Sequence, residues 1–368
     1  MKEKIRVGVV GGKFCEVHIQ GFQRCPEIEV VAICRRQKEL AEQIAQKYGI
    51  PKSYTVFEEM IKRNDIDVIS LAVPNNLHYP MTMKAFEAGK HIICEKPLAM
   101  TTNEAEAMIK KAEDKNRVHM TVFNWRFVPS FVRMKELVED GEVGSVFHVY
   151  FSWLSNGRRE RNSSFTWRFA QNEAGYGALG DTGVHGIDMI HWIAGELINV
   201  VSSMSINIED HRVGKGKYKK AEVEDTCSFL GELAGGGQVI FHVSSVAACD
   251  STIRLDIHGD KGALGVQLFP SAGDFTGKLF GGKGENDPRY EIPIPERLIT
   301  DLRPKNENYS PRVFFFERFA KHFVKGMQSG INPSPNFYDG IKAQRVLEAL
   351  KKSWLEKRWV EVKNGGSP

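Results

Sequence analysis

The chain lacks the features that define several classes of protein. Its six cysteines form no CxxC pair and no regular framework, which argues against a disulfide scaffold or a zinc ribbon. No apolar run approaches a membrane span, and residues 1–4 lead straight into a strand-like run instead of a signal sequence. The net charge of +4, from 50 basic against 46 acidic residues, is too small for 368 residues to indicate nucleic acid or a membrane surface as partner. We therefore expect a cytoplasmic, globular protein with reduced cysteines.

The first third of the chain alternates short apolar strands with amphipathic helices. Strands that are apolar almost throughout are typical of a parallel sheet covered by helices on both faces. We predict strands at 5–10, 28–34, 66–73, 91–94 and 118–123, and helices at 16–24, 37–48, 79–88 and 103–115. This pattern predicts a doubly wound α/β domain over residues 1–123.

From residue 124 onward the strands are longer and alternate polar with apolar residues. Such alternation indicates a mainly antiparallel sheet with one buried face. We predict strands at 145–153, 199–208, 226–233, 238–246 and 252–258, a helix at 181–193, and apolar helical stripes near 316–327 and 343–354. The remainder of the chain, residues 124–368, is therefore predicted to be a second, α+β domain.

A short glycine-containing loop, Gly11, Gly12, Lys13 and Phe14, follows the first strand. A dinucleotide-binding fold carries its glycine fingerprint at this place, because glycines allow a tight turn and let backbone N–H groups approach a pyrophosphate. The GxGxxG spacing is shortened by one residue here, and Cys15 replaces the third glycine. Alone, the loop fits an ordinary strand-to-helix turn equally well. Its position at the head of a βαβ series favours a nucleotide site.

The second strand ends in Cys34, Arg35 and Arg36, where NAD-binding folds carry an acidic residue for the adenosine ribose. Two guanidinium groups instead suit a 2′-phosphate, which arginine can bind through bidentate charged hydrogen bonds. We therefore favour NADP(H) as the cofactor, with NAD(H) as the alternative. The structural explanation, in which both arginines are solvated charges at a helix start, stays open.

Lys96 lies between an apolar strand-like run and Pro97. Because X-Pro bonds adopt the cis form far more readily than other peptide bonds, this turn can fix the direction of a strand-end lysine. Asp181 and His185 are four residues apart on the predicted helix and would share one face. A carboxylate there can orient the imidazole and favour its protonated form. Each residue alone is explained by a structural role, but together they predict an acid/base site.

Three motifs carry a resemblance to a known family: AVPNNLH at 72–78, EKP at 95–97 and GDTGVHGID at 180–188. In this order they resemble the glucose-fructose oxidoreductase and inositol dehydrogenase family, Gfo/Idh/MocA, over essentially the whole chain. The resemblance implies an N-terminal Rossmann domain, and a C-terminal α+β domain whose large open sheet often mediates oligomers. It also implies hydride transfer between a nicotinamide and a sugar or cyclitol, in a homo-oligomer that we expect to be a dimer or tetramer.

The resemblance also assigns residues by position. It implies catalytic roles for Lys96, Asp181 and His185. It implies cofactor contacts for the Gly11–Phe14 loop and for Pro74, Asn75, His78, Glu95, Lys96 and Asn124. The shortened loop departs from the family pattern at the pyrophosphate.

The residue types suit alcohol oxidation. Removal of the hydroxyl proton requires a base, and the growing alkoxide requires a positive charge beside it. Histidine suits the first task and lysine the second, so we assign His185 as acid/base and Lys96 as its electrostatic partner, with the reverse assignment open. Aromatic faces and charged donors suit a sugar ring, and the predicted substrate contacts are Arg126, Trp153, Trp167 and Arg168, together with Lys96, Asp181 and His185.

Two other classes of function compete with a dehydrogenase. A non-catalytic NAD(P)-binding regulator or redox sensor would keep the same fold, and the irregular glycine loop suggests it. The intact set of Lys96, Asp181 and His185 favours the enzyme. A metal-dependent lyase or hydrolase is disfavoured because His191 lies off the face of His185 and no ligand cluster is evident, so we expect no metal.

Overall fold

The structure, a computed structural model, describes residues 4–160, 163–248, 251–270, 276–284, 287, 289–300 and 310–363. The chain divides into two compact units. The first unit comprises residues 1–124 and 306–341, and the second comprises 125–305 and 342–368. Cys249 lies outside the described residues. The described cysteines are free, buried thiols: Cys15, Cys25, Cys34, Cys94 and Cys227.

The first unit is built on a six-stranded parallel sheet. Its strands are β1 (Ile5–Gly11), β2 (Ile28–Cys34), β3 (Lys52–Tyr54), β4 (Val68–Ala72), β5 (His91–Cys94) and β6 (His119–Thr121). The helices between them are α1 (Cys15–Gln23), α2 (Lys38–Tyr48), α3 (Phe57–Ile61), α4 (His78–Glu87) and α5 (Thr102–Asp114). The strand order β3-β2-β1-β4-β5-β6 is that of a dinucleotide-binding Rossmann fold. The predicted doubly wound domain is confirmed.

The apolar runs that predicted this sheet form its core. β4 is buried along its whole length, and β2 is buried except at one residue. Helix ends are also defined locally. Thr101 caps α5 by accepting a hydrogen bond from the Glu104 backbone N–H at 3.2 Å, and Gly49 ends α2 in the left-handed conformation.

A late segment of the chain also belongs to the first unit. Helix α9 (Pro311–Ser329) carries the predicted apolar stripe, and its Phe316 ring stacks on His18 at 4.1 Å and meets Phe22 edge-on at 5.0 Å. The sequence prediction grouped this segment with the second domain. Phe316 is instead fully buried against α1, which is why residues 310–341 fold with the first unit.

The second unit is built on a nine-stranded mixed sheet in the order β16-β15-β14-β13-β7-β12-β11-β8-β17. The pairs are antiparallel except for β7 with β12. The strands are β7 (Val146–Leu154), β8 (Leu197–Ser205), β11 (Thr226–Leu233), β12 (Gln238–Ser244), β13 (Thr252–Gly259), β14 (Ala263–Leu268), β15 (Lys278–Gly282), β16 (Tyr290–Ile292) and β17 (Val360–Glu361), with a separate hairpin of β9 (Asp210–Gly214) and β10 (Lys217–Lys220). The predicted α+β class with a mainly antiparallel sheet is confirmed.

The helices of this unit are α6 (Pro129–Glu139), α7 (Gln171–Ala174), α8 (Val184–Ile193) and part of α10 (Phe337–Glu356). The sequence reading did not predict α6 or strands β14 to β16. It also predicted one helix at 181–193, whereas the structure has a π-helical turn, Leu179–Gly183, followed by α8. In that turn the Val184 N–H reaches back to the Leu179 carbonyl, five residues earlier.

Gly186 allows α8 to lie close to the sheet. A Cβ added to Gly186 would come within 2.4 Å of the Phe151 ring and 2.8 Å of the Phe241 ring. These two rings stack on each other at 4.7 Å in the core. A larger residue at Gly186 would therefore push α8, and the neighbouring His185, away from the sheet.

Candidate active site

The candidate cofactor residues lie at the carboxyl ends of the parallel strands. The strand order reverses between β1 and β4, and open α/β sheets bind ligands in the crevice beside such a reversal. The predicted residues lie at these strand ends or within three positions after them: Gly11 and Gly12 for β1, Arg35 and Arg36 for β2, Pro74 and Asn75 for β4, Glu95 and Lys96 for β5, and Asn124 for β6. Parallel pairing therefore brings the predicted residues of the first unit to one edge of the sheet.

The turn after β1 requires a glycine at its first position. Gly11 has a φ of +146°, and an added Cβ would lie 2.0 Å from the Ala72 carbonyl oxygen. An added Cβ on Gly12, by contrast, would meet nothing within 4 Å. Cys15, in place of a third glycine, is fully buried, and burial raises the pKa of its thiol to about 12. A tight turn with open space before a helix start fits a dinucleotide pyrophosphate.

Arg35 and Arg36 lie one strand away from this turn. Val10 and Cys34 are direct partners in the β1–β2 register, so the two chains leave the sheet side by side. The Arg35 backbone N–H donates to the Tyr54 carbonyl at 3.0 Å, and its side chain is half-buried while Arg36 is exposed. Both guanidinium groups are therefore carried at the position of the ribose-binding acid of NAD-binding folds.

The Glu95–Lys96 turn is supported by buried polar contacts. The Glu95 backbone N–H donates to the Leu71 carbonyl at 3.0 Å, and Glu95 Oε2 accepts from the Lys96 N–H at 3.2 Å. The Lys96–Pro97 peptide bond is cis. Burial raises the pKa of Glu95, but its hydrogen bond with His18 and the neighbouring charges outweigh burial and leave that pKa below its ordinary value. Glu95 is therefore an ionised anchor beside Lys96.

His18 is a member of this set that the sequence reading left out. It is fully buried on α1, with Nε2 at 3.0 Å from Glu95 Oε1 and Nδ1 at 2.8 Å from Ser70 Oγ. Since a carboxylate can only accept, Nε2–H donates to Glu95, and Nδ1 can accept from the Ser70 hydroxyl. The imidazole therefore connects the helix after the glycine turn to the residue before Lys96.

His78, a predicted cofactor contact, is fully buried. Its Nδ1 lies 2.8 Å from the Pro97 carbonyl and its Nε2 lies 3.1 Å from the Val73 carbonyl. Burial lowers the pKa of His78 below its ordinary value. The side chain connects the loops that follow β4 and β5, and so holds together the edge of the sheet where the predicted cofactor residues lie.

His185, on α8, lies against two tryptophan rings. The Trp153 ring is nearly parallel to it with centroids 6.1 Å apart, and Trp125 meets it at a steep angle at 6.3 Å. All three residues are buried: His185 and Trp153 are each 5% exposed, and Trp125 is 6% exposed. Trp153 therefore lies beside the predicted acid/base residue, and its contact with a substrate stays a prediction.

Asp181 lies in the π-helical turn just before α8, and its carboxylate contacts two guanidinium groups. Arg158 Nη2 donates to Asp181 Oδ2 at 2.7 Å, and Arg168 Nε lies 3.7 Å from the same oxygen. The Arg168 guanidinium also lies over the Trp167 ring at 4.5 Å. The structure thus groups three predicted residues, Asp181, Trp167 and Arg168, and adds Arg158, which the sequence reading missed.

Arg126 has a different environment from the one the sequence suggested. Its Nε donates to Asp188 Oδ2 at 2.8 Å and its Nη2 to Oδ1 at 2.5 Å, and the two side chains are 5% and 2% exposed. The guanidinium also lies 5.6 Å from the Trp192 ring centroid. This buried pair is one helical turn beyond His185, so a packing role for Arg126 competes with the predicted substrate contact.

Among the described residues, no helix combines the length and apolarity needed to cross a membrane. Within the same part of the chain, no group of three or more His, Cys, Asp or Glu side chains is arranged to hold a metal ion.

Comparison with known proteins identifies the class. Residues 5–123 match the Gfo/Idh/MocA oxidoreductase family, NAD-binding Rossmann fold, and residues 131–265 match the GFO/IDH/MocA C-terminal domain. The chain belongs to this family of oxidoreductases, and the predicted resemblance is confirmed.

The relatives cover nearly the whole chain. Levoglucosan dehydrogenase of Pseudarthrobacter phenanthrenivorans is 30% identical over 98% of both chains, and myo-inositol 2-dehydrogenase of Thermotoga maritima is 25% identical over 97% of this chain and 98% of its own. The solved structure of levoglucosan dehydrogenase in complex with NADH and L-sorbose superposes with a TM-score of 0.90 at 28% identity, and covers 99% of this chain and all of its own. These relatives are sugar and cyclitol dehydrogenases.

Proposed function

We propose that this protein is a dehydrogenase that transfers hydride between a nicotinamide cofactor and a secondary alcohol, or the corresponding ketone, of a sugar, sugar derivative or cyclitol. The observation that carries the proposal is that one chain combines a Rossmann strand order, a tight Gly11 turn and the set Lys96, Asp181 and His185. The full-length similarity to levoglucosan and inositol dehydrogenases supports the substrate class.

In this proposal the chain's own groups manage the proton and the charge on the substrate oxygen. His185 takes the hydroxyl proton as the carbonyl forms, and Lys96 stabilises negative charge on that oxygen. Asp181 accepts a hydrogen bond from a substrate hydroxyl. When bound, the nicotinamide supplies the hydride acceptor or donor, and Pro74, Asn75, Glu95 and Asn124 would hold it. The proposal requires Lys96 and His185 to reach the same substrate oxygen.

The test is a panel of aldoses, inositols and anhydrosugars, each with NAD and NADP, followed by the absorbance of the reduced nicotinamide. His185→Ala should lower turnover by about 10²- to 10⁴-fold, or about 3–5.5 kcal/mol of barrier, without weakening cofactor binding. His191→Ala is the matched control, because it removes a histidine from the same helix but off the face of His185. Unchanged turnover in the His185 variant would refute its assignment.

The competing assignment exchanges Lys96 and His185. The pH profile of turnover separates the two, because removal of the proton-transferring group abolishes the pH dependence that it causes. Lys96→Ala with an unchanged profile but slow turnover supports the electrostatic role. Cofactor binding without turnover on any substrate would instead support the non-catalytic regulator.

We also propose NADP(H) as the preferred cofactor, on the basis of Arg35 and Arg36 at the end of β2. A solved structure of levoglucosan dehydrogenase is a complex with NADH, so the first measurement is the preference of the parent protein itself. Arg35→Asp should move the ratio of kcat/KM for NADP to that for NAD toward NAD, and Arg36→Asp tests the second arginine separately. A parent protein that prefers NAD would contradict the arginine argument.

Finally, we propose that the protein is a homo-oligomer that associates through the open face of the large sheet. Tyr150, Ile240 and Leu230 are direct neighbours across β7, β12 and β11, and are 38%, 53% and 48% exposed. A contiguous apolar row of this kind on a sheet face is typical of an interface. Light scattering should give a dimer or tetramer, and Ile240→Asp should shift it toward monomer.

A further inference from the structure

The Asp181 carboxylate and the guanidinium beside it differ in their access to solvent. The Asp181 side chain is 32% exposed, whereas the Arg158 side chain, 2.7 Å away, is only 10% exposed. Arg168, the more distant guanidinium, is 42% exposed. A ligand can therefore reach Asp181 and Arg168, while Arg158 lies behind the carboxylate.

Arg158 is held in place by both its backbone and its side chain. Its backbone N–H donates to the Ser245 carbonyl at 2.9 Å, just beyond β12. Its guanidinium lies 5.3 Å from the centroid of Phe169, and the Phe169 ring stacks on His211 at 3.8 Å. An arginine that is fixed in this way can impose its position on the carboxylate that it binds.

The backbone of the Asp181 turn has a separate anchor. Glu224 Oε1 accepts hydrogen bonds from the Gly177 and Leu179 backbone N–H groups, at 2.8 and 3.0 Å. The Asp181 N–H in turn donates to the Gly177 carbonyl at 2.9 Å. The turn is therefore held at two places, by Glu224 at its backbone and by Arg158 at the Asp181 side chain, and Arg158 also sets the orientation of that carboxylate.

We propose that Arg158 is a positioning residue that orients the Asp181 carboxylate so that its exposed part accepts a hydrogen bond from a substrate hydroxyl. Arg168 is the member of the cluster that faces the substrate. This inference rests on the proposed dehydrogenase function for the role of the hydroxyl, but the positioning of Asp181 by Arg158 can be tested without turnover.

The first experiment does not depend on activity. Hydrogen exchange followed by mass spectrometry is measured on peptides spanning residues 177–184, for Arg158→Gln and for Arg159→Gln. Arg159 is the matched control, because it is the adjacent arginine and is exposed. Arg158→Gln should speed exchange in this segment by about tenfold, the effect of losing one charge-assisted hydrogen bond. Equal exchange in the two variants would overturn the proposal.

The second experiment uses whichever sugar in the substrate panel the parent protein turns over. Arg158→Gln should lower kcat/KM by about 10- to 100-fold, chiefly through KM, while Arg159→Gln keeps the parent value. Arg158→Lys retains a positive charge, so it should recover part of the loss. Circular dichroism checks that each variant is folded. If Arg158→Gln does not fold, Arg158→Lys is compared with Arg159→Gln in both experiments instead.

The two experiments separate the inference from the proposed function. Faster exchange without turnover by the parent protein on any sugar would uphold the positioning role and contradict the dehydrogenase. Turnover by the parent together with equal kinetics for Arg158→Gln and Arg159→Gln would uphold the dehydrogenase and contradict the positioning role.

Discussion

Replacement of Arg126 by methionine should destabilise the second unit by about 3–5 kcal/mol, the range measured when one partner of a buried ion pair is removed. The geometry of the Arg126–Asp188 pair favours the upper part of this range. Both guanidinium contacts are short, and the side chains of Arg126 and Asp188 are 5% and 2% exposed. Methionine keeps the aliphatic stem but leaves the Asp188 carboxylate buried without its cation.

A second arginine in the same unit provides the control. Arg297 Nη2 contacts both carboxylate oxygens of Glu136, at 2.7 and 2.8 Å, but the Arg297 side chain is 58% exposed. Exposed pairs contribute about 0–1 kcal/mol. Arg297→Met should therefore change the free energy of unfolding by no more than that, although it removes the same type of side chain.

The assay is urea unfolding followed by tryptophan fluorescence. All six tryptophans belong to the second unit, and the Trp192 ring lies 5.6 Å from the Arg126 guanidinium. The signal therefore reports the unfolding of the unit in which the substitution is made, through the transition midpoint at constant slope.

A double variant separates loss of the pair from loss of packing. Arg126→Met with Asp188→Leu removes both charges, and it should recover most of the stability that the single variant loses, because a buried ion pair contributes little beyond an apolar replacement. If Arg126→Met costs no more than Arg297→Met, the ion-pair reasoning is refuted. If Arg126→Met leaves the stability unchanged but abolishes turnover, that result supports the substrate contact that the sequence predicted for Arg126.

Three further predictions concern Glu224, Gly11 and His18. Burial raises the pKa of Glu224 from 4.5 to about 6, so its protonated form stabilises the fold below pH 4.5 and this contribution is lost as the pH rises through 6. Glu224→Gln should gain up to about 2 kcal/mol relative to the parent over that interval, measured by denaturant titration at several pH values. Gly11→Ala should weaken cofactor binding by at least about tenfold in a binding titration, because its Cβ would overlap the Ala72 carbonyl, whereas parent-like binding would contradict the need for glycine. His18→Ala should lower the midpoint of thermal unfolding of the first unit by several degrees, roughly the effect of 1–3 kcal/mol for the loss of the His18 donor to the buried Glu95 Oε1, measured by calorimetry.

The fold could be predicted to the level of class because its signals are local. Continuous apolar runs predicted the parallel sheet, and five of its strands lie at or within a few residues of the predicted positions, for example Ile28–Cys34 and His91–Cys94. Strands β14 to β16 were missed because they are only six, five and three residues long and two of them contain glycine, so the alternation that identifies a strand is weak. Helix α6 begins at Pro129, a helix-start signal that the strand-dominated reading passed over.

The part of the candidate site that the sequence can predict is the set of residues whose type suits the reaction. Lys96, Asp181 and His185 could be proposed from their types and spacing. The π-helical turn at Leu179–Gly183 could not, because regular helical spacing does not indicate its wider hydrogen bond, and its Glu224 contacts come from a residue more than forty positions away. The four-residue spacing of Asp181 and His185 therefore spans the junction of two helix types, and not one regular α-helical turn.

The supporting residues escaped prediction for a different reason. His18 bonds Glu95 across 77 positions, Arg126 bonds Asp188 across 62, and Arg158 bonds Asp181 across 23. Helical spacing rules reach only three or four residues, and a buried charge requires a partner without specifying which one. A sequence can therefore indicate the residues that face a ligand, because the chemistry of the ligand limits the choice. It cannot indicate the residues that hydrogen-bond to them, since only the tertiary fold decides which distant side chain becomes the partner of each buried group.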